Sequence, residues 1–455
     1  MIEVITIETP SLGDRSYVVT DGTVAVAVDP QRDLDRVLDV LHERGLRLTH
    51  VLETHIHNDY VTGGYALAQA TGARYCVNAD DEVSFERTPV RDGDEWTTGA
   101  LRVRALATPG HTFTHLSYAV DAPGHDDEPV VFTGGSLLHG STGRPDLLGP
   151  NHTDALARHQ HASARRLVAE LPDATEIYPT HGFGSFCAAT PTSGDASTIG
   201  SQRTSNPALR QDVEEWVEQT VASLTAHPAY YAHMAPANSA GPAAPDLSPP
   251  APADPAELRR RIDAGEWVVD LRGRTEFAAG HLRGAFNFGA DGSFVTYLGW
   301  LLPWGTPVTL LADTPEDLEA AQRDLVRIGI ERPAAAATGR VEDWAGVDAL
   351  ASYRRVTFAD VAAARAAGEE PHVLDVRRDD ERRSGHVAGS QHVPLHELLD
   401  RADEVPHDRG VWVHCASGYR ASIAAAVLDR AGVDVVLVDD GFDNAAGAGL
   451  VVVAG

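Results

Sequence analysis

Apolar and polar residues alternate from the start of the chain: Ile2, Val4, Ile5 and Ile7 interleave with Glu3, Thr6 and Glu8 as in a strand. Leu34, Val37, Leu38 and Leu41 then recur at helical spacing, and Gly45 ends that run. Strand-like runs and amphipathic helices exchange in this way up to about residue 235. From Ala235 to Pro255 the composition changes to Pro and Ala with scattered Gly and Ser, the signature of a linker. The pattern predicts a domain over 1–235, a linker over 236–253, and two further units over 254–345 and 353–455.

The last two units are related by an internal repeat. Asp270, Arg272, Glu276, His281 and Gly284 recur as Asp375, Arg377, Glu381, His386 and Gly389, each displaced by 105. Aligning Val308-Thr309-Leu310-Leu311 with Val411-Trp412-Val413-His414 puts Ala312 at the position of Cys415, Pro315 at Gly418 and Asp317 at Arg420. The earlier unit thus lacks a thiol, and Asp313, Glu316 and Asp317 would repel a bound anion. It is expected to be inactive.

Composition narrows the partners. The formal charge is −29, from 66 acidic against 37 basic residues, and every one of the basic residues is Arg. Such a surface repels phosphate backbones and anionic membranes, so neither nucleic acid nor a membrane is expected as a partner. No apolar run reaches 18 residues, and the N-terminus has no basic leader, so a cytoplasmic protein is expected. Cys76, Cys187 and Cys415 are too few and too scattered for a disulfide framework; the first two read as core thiols. The oligomeric state is left open, a homo-oligomer included.

Cys415 stands where an apolar strand ends, followed by Ala416, Ser417, Gly418, Tyr419 and Arg420 and then an Ala-rich helix. Amides at a helix N-terminus can curl around an anion there, and helix dipole and Arg420 both favour a nucleophilic sulfur. The loop resembles the active-site loop of rhodanese sulfurtransferases at Cys415, Gly418 and Arg420. Val373 to Arg377, Glu381 and Gly385 to Gly389 resemble the first strand and turn of that family. The four residues between Cys415 and Arg420 make a tighter ring than a phosphate cradle, one suited to a persulfide.

In the first domain, Leu48 to Thr54 reads as a buried strand that delivers His55, Ile56, His57, Asn58 and Asp59 at its carboxyl end. Alternate histidines on an extended segment share one side, so they can converge on a metal. His111 follows Pro109 and Gly110, and His181 follows Pro179 and Thr180, at two more junctions of strand and loop. These segments resemble the metallo-β-lactamase fold, in its glyoxalase II and persulfide dioxygenase branch. The resemblance implies His55, His57 and His111 as metal ligands, with Asp59 and His181 as further ligands or their supports. Tyr60 stands where the family has a histidine, and Gly135 where it has a carboxylate. His115, His139, His152, His159 and His161 are read as surface or supporting positions.

The expected architecture is therefore multi-domain α/β: a metallo-β-lactamase αββα sandwich followed by two rhodanese-like α/β domains with parallel sheets. The fusion implies an enzyme of sulfur metabolism, a metal-dependent persulfide dioxygenase with transfer of sulfane sulfur at Cys415. Its cofactor would be one divalent metal, with Fe2+ placed slightly ahead of Zn2+. Its substrates would be a low-molecular-weight thiol persulfide and thiosulfate or sulfite. Two alternatives are a glyoxalase II-like thioester hydrolase carrying a rhodanese domain, and a metal-free binding module beside a sulfurtransferase. Restoring a carboxylate at Gly135 is expected to raise affinity for Fe2+.

Overall fold

A computed structural model describes residues 2–124, 128–192, 194–290, 293–346 and 349–454. They form two compact units, Met1–Asp246 with Asp324–Gly329, and Leu247–Arg323 with Ile330–Gly455.

The first unit packs two sheets face to face. One has six strands in the order Glu3–Thr9, Asp14–Thr20, Val24–Val28, Arg47–Leu52, Arg74–Asn78 and Thr88–Val90. The other has five, Glu176–Pro179, Val130–Gly134, Leu116–Asp121, Leu101–Ala107 and Glu95–Thr98. Strand Val24–Val28 shows why the layers form. Val26 and Val28 enter the core between the sheets, whereas Ala25 and Ala27 face a second core that holds Val37 and Leu41 of helix Asp35–Arg44. Both faces of this strand are buried, so it carries no polar alternation. Helices Pro150–Glu170 and Val213–Ser223 cover the other sheet through Leu167, Val168, Trp216 and Val217. The result is an αββα sandwich.

The segment expected as a linker starts as structure. Helix Tyr231–Ala240 runs through Pro236, and Asn238 on it is buried. Its amide donates to the carbonyls of His57 and Tyr60, both at 2.9 Å, and its Oδ1 accepts from the Thr62 amide.

The second unit contains the repeat as two parallel sheets. The strand order is Phe286–Asn287, Trp267–Asp270, Val308–Ala312, Ala335–Thr338 in one. In the other it is Gln391–His392, His372–Asp375, Val411–His414, Val435–Val438, Arg354–Val356. The five repeated residues have a physical basis. Arg272 pairs with Asp270 and donates to the Gly280 carbonyl, and Arg377 does the same with Asp375 and the Gly385 carbonyl, so each buried pair pins the turn after its strand. Gly284 and Gly389 both have positive φ, 86° and 75°. Asp270 lies opposite Leu311 and Asp375 opposite His414, so Ala312 occupies the place of Cys415.

The Asp375 pair makes stability depend on acid. Burial alone would raise this carboxyl, but the Arg377 fork and His414 outweigh it and hold it down at about 2. A depressed carboxylate stabilises the fold above its unfolded value near about 3.9 and loses that contribution as pH falls toward about 2, for a total on the order of 2 kcal/mol. Asp375→Asn should therefore lower the neutral-pH melting temperature and flatten its fall between about pH 4 and pH 2. Melting curves across that range that match the parent would refute the assignment.

Candidate metal centre and thiol loop

The histidines of the first unit leave its strands at separate junctions: His55 and His57 after Arg47–Leu52, His111 after Leu101–Ala107, and His181 after Glu176–Pro179. The structure brings all four together. Ring centroids lie 4.1 Å apart for His55 and His57, 4.8 Å for His55 and His111, and 5.3 Å for His111 and His181. Each of the four is at most 1% exposed.

Hydrogen bonds set which nitrogen of each ring faces its neighbours. Thr54 Oγ1 donates to Asp29, so it accepts from His55 Nδ1 at 2.9 Å and leaves the His55 Nε2 lone pair turned toward His181. His111 Nδ1 donates to the Arg144 carbonyl at 2.8 Å, and its Nε2 has no partner. His57 turns Nε2 toward Asp29 and Glu53, at 3.3 and 3.4 Å, and its Nδ1 has no partner. His181 Nδ1 meets Asp14 at 2.9 Å and Asp59 at 3.1 Å, while its Nε2 lies 3.4 Å from His55 Nε2. Two imidazole nitrogens on one tetrahedral zinc, each about 2.0–2.1 Å from the ion, would be roughly 3.3–3.4 Å apart. Orphaned inward nitrogens and outward carboxylate or carbonyl partners are what a histidine metal site requires. The donor set fits a divalent ion.

Asp29 ties the loops into this arrangement. It has φ 48°, in the left-handed region, and accepts from the Thr54 amide at 2.7 Å and from the hydroxyls of Thr54 and Thr180. Burial would lower the His57 imidazole, but Asp29 and Glu53 outweigh it and lift it to about 9. Burial brings His111 down to about 3, which keeps that ring neutral and ready to ligate. Burial also drives His55 down, helped by the neighbouring imidazoles. His181 rises despite burial, because Asp59 and Asp14 face it.

Tyr60 stacks on His57, with centroids 4.3 Å apart, and its hydroxyl meets His57 Nε2 at 3.0 Å. It closes the back of His57 and brings no ligand nitrogen. His115 accepts from the Gly135 amide through Nε2 and donates to Thr108 through Nδ1, so both its nitrogens are used. A cavity of about 420 Å³ lies beside Asp14, the partner of His181, and is lined also by Arg15, Gly182, Phe183 and Thr192.

Gly135 has a role beyond a missing carboxylate. A Cβ there would lie 2.3 Å from His111 Cδ2, and a Cβ at Gly143 would lie 2.8 Å from His111 Nδ1. The ring sits in the slot between two glycines. Gly135→Asp therefore meets a steric cost that sequence alone does not show. Gly135→Ala should lower stability by about 1–3 kcal/mol, as overpacking does, and weaken metal binding by moving His111. A variant with parental melting temperature and metal content would refute that placement.

In the second unit, Cys415 is 1% exposed, and the Gly418 amide donates to its sulfur at 3.1 Å. Gly418 has φ 96°, and a Cβ on it would lie 2.2 Å from Asp439 Oδ1, so the turn into helix Tyr419–Arg430 demands glycine. Arg420 holds Glu381 through both terminal nitrogens, each at 2.6 Å, and this pairing keeps Glu381 ionised against burial. The charge expected to face the sulfur anion is thus already forked onto a carboxylate. Arg378, Arg420, Tyr297, Trp300 and His396 line one narrow pocket. The other repeat buttresses the helix: Tyr419 donates to the Gly289 carbonyl, Ser422 to Asn287, and Ala426 joins the core of Leu258, Phe277 and Trp344. In that repeat Thr314 caps the helix, accepting from the Asp317 amide and donating to the Asp317 carboxylate.

Residues 13–181 match the Metallo-beta-lactamase superfamily, and residues 254–345 and 358–448 each match the Rhodanese-like domain. A hydroxyacylglutathione hydrolase of Pseudomonas putida (strain GB-1) is 31% identical over 223 residues, which cover 41% of this chain and 79% of that protein. The chain belongs to the metallo-beta-lactamase superfamily. It carries two rhodanese-like domains after its metallo-beta-lactamase domain. Persulfide dioxygenase ETHE1 of Homo sapiens is 29% identical over 210 residues, 46% of this chain and 73% of that protein. A metallo-beta-lactamase structure from Staphylococcus aureus subsp. aureus COL is 25% identical with a TM-score of 0.67, covering 74% of this chain and 99% of that one. Among the described residues of this superfamily member, no helix is long and apolar enough to cross a membrane.

Asp14, Asp29, Thr54, Asn238 and Arg144 escaped sequence reasoning. Asp14, Asp29, Asn238 and Arg144 support the site through partners far along the chain, and Thr54 joins its neighbour His55 to the distant Asp29.

Proposed function

We propose that the chain is a metal-dependent persulfide dioxygenase joined to a sulfurtransferase. The observation that carries this reading is the convergence of His55, His57, His111 and His181, with His57 Nδ1 and His111 Nε2 left without partners, in a chain that also holds the Cys415 loop. His55, His57 and His111 would hold the ion, with His181 and Asp59 beside it. An Fe2+ ion in that place supplies redox chemistry with O2. The balanced reaction converts a thiol persulfide, O2 and water into the thiol, sulfite and two protons. Asp29, Glu53, Asp14 and Thr54 orient the rings, and the buried walls restrict water.

At Cys415 the thiolate attacks the sulfane sulfur of a donor. A sulfur–sulfur bond forms on Cys415, the donor's own bond breaks, and the donor thiolate or sulfite leaves with the electron pair. The Gly418 amide, pointed at the sulfur, stabilises negative charge there. Glu381 positions Arg420 at the pocket wall rather than leaving its fork to the substrate. Sulfite made in the first unit is a chemically suitable acceptor for the persulfide made on Cys415, giving thiosulfate.

Elemental analysis of anaerobically purified protein tests the metal half. Iron near one per chain supports oxygenation; zinc would favour the thioester hydrolase, and neither metal would favour a binding module.

A further inference from the structure

We propose that Cys187 is a thiolate ligand of the metal centre, adding a sulfur donor beside His111 and His181 to the site that holds one divalent transition-metal ion. The inference rests on the metal reading above and names a ligand outside the expected set. Ligand atoms of His111, His181 and Cys187 all lie within 4.8 Å of one another, and all three residues are fully buried. This is not a thiol packed in hydrocarbon. Cys76 is, lying with Leu52, Val90, Leu101 and Tyr118 between the sheets. Cys187 instead lies beside His111 and His181, and Asp59 faces that same His181 at 3.1 Å.

Preorganisation supports the assignment. One residue, Arg144, holds two of the donors: its carbonyl accepts from His111 Nδ1, and its amide donates to the Cys187 carbonyl, both at 2.8 Å. Its guanidinium is fixed in turn by Asp146 and by the carbonyls of Phe186 and Thr225. His111 Nε2, buried and without a partner, is the second sign that a ligand belongs here. An orphaned nitrogen in a dry site costs about 1–3 kcal/mol unless something binds it.

Charge completes the argument. Gly135 offers no carboxylate, and the imidazoles that would hold the ion are neutral once bound. A thiolate at Cys187 supplies the missing negative charge. On metal binding the thiol proton is released to solvent, while the sulfur lone pair forms the bond to the ion. A soft sulfur ligand selects Fe2+ or Zn2+ over Mg2+ or Ca2+.

Co2+ added to the metal-stripped full chain is the probe. A thiolate-to-cobalt charge-transfer band in the near ultraviolet is expected beside the visible d–d bands. It should persist in Cys76→Ser and Cys415→Ser and vanish in Cys187→Ser. Metal affinity of Cys187→Ser should also fall by at least the roughly 10–100-fold that loss of an outer partner costs. Visible bands without the charge-transfer band in the parent protein would overturn this proposal and leave the metal reading standing, and that result does not depend on whether Cys187→Ser folds. A band that survives in Cys187→Ser would overturn it equally. No Co2+ uptake at all would overturn both.

Discussion

Cys415→Ala is expected to abolish transfer of sulfane sulfur from thiosulfate or a persulfide to cyanide, leaving less than about a tenth of the parent rate, because losing a covalent nucleophile costs orders of magnitude. No other cysteine can stand in. Cys76 lies in the hydrocarbon core between the sheets, Cys187 lies among the buried donors of the first unit, and the repeat carries Ala312 at the matching strand end. Among the described residues, only Cys415 has an amide aimed at its sulfur across a left-handed glycine turn. The substitution removes one sulfur from a packed loop and should leave metal content unchanged, since the proposed donors of the metal centre belong to the first unit. Thiocyanate formation measured beside elemental analysis reads both halves. Transfer above a tenth of the parent rate would contradict the assignment.

His111→Ala is the second large effect. It removes a neutral ring whose Nε2 is free and whose Nδ1 is already spent on the Arg144 carbonyl. The loss takes away one nitrogen donor, leaves the Arg144 carbonyl without its partner and opens the slot between Gly135 and Gly143. Bound metal should fall by more than about tenfold, with a stability loss of about 1–3 kcal/mol from the unsatisfied carbonyl. Cyanide-dependent transfer at Cys415 should survive. Unchanged metal stoichiometry in the folded variant would remove His111 from the ligand set.

The layered fold was legible because it rests on local rules. Leu34, Val37, Leu38 and Leu41 mark a helix by spacing alone, and the displacement of 105 between Asp270 and Asp375 marks a repeat whose turns really are pinned by the same Asp–Arg pair. Candidate ligands could be singled out because His55, His57, His111 and His181 sit at strand ends, where loops present side chains. Their tautomers could not be read. Asp14 reaches His181 across 167 positions and Asn238 reaches His57 across 181, so no local pattern announces either. The Pro and Ala around Asn238 suggested a linker, and only packing reveals its helix and its clamp on the loop of His57 and Tyr60. Gly135 was visible as a missing carboxylate, yet the His111 ring that fills its slot belongs to tertiary structure. Arg420 read as a free positive charge because sequence does not show that Glu381 already holds it.

The central claim is that a metal in the first unit oxidises a persulfide. Oxygen uptake and sulfite release by iron-loaded Cys415→Ala protein, given a low-molecular-weight thiol persulfide, test it without interference from sulfur transfer. One sulfite formed per O2 consumed, abolished by His111→Ala, is the result expected. Thioester cleavage with no oxygen uptake, or no turnover of either substrate by metal-loaded protein, would contradict it.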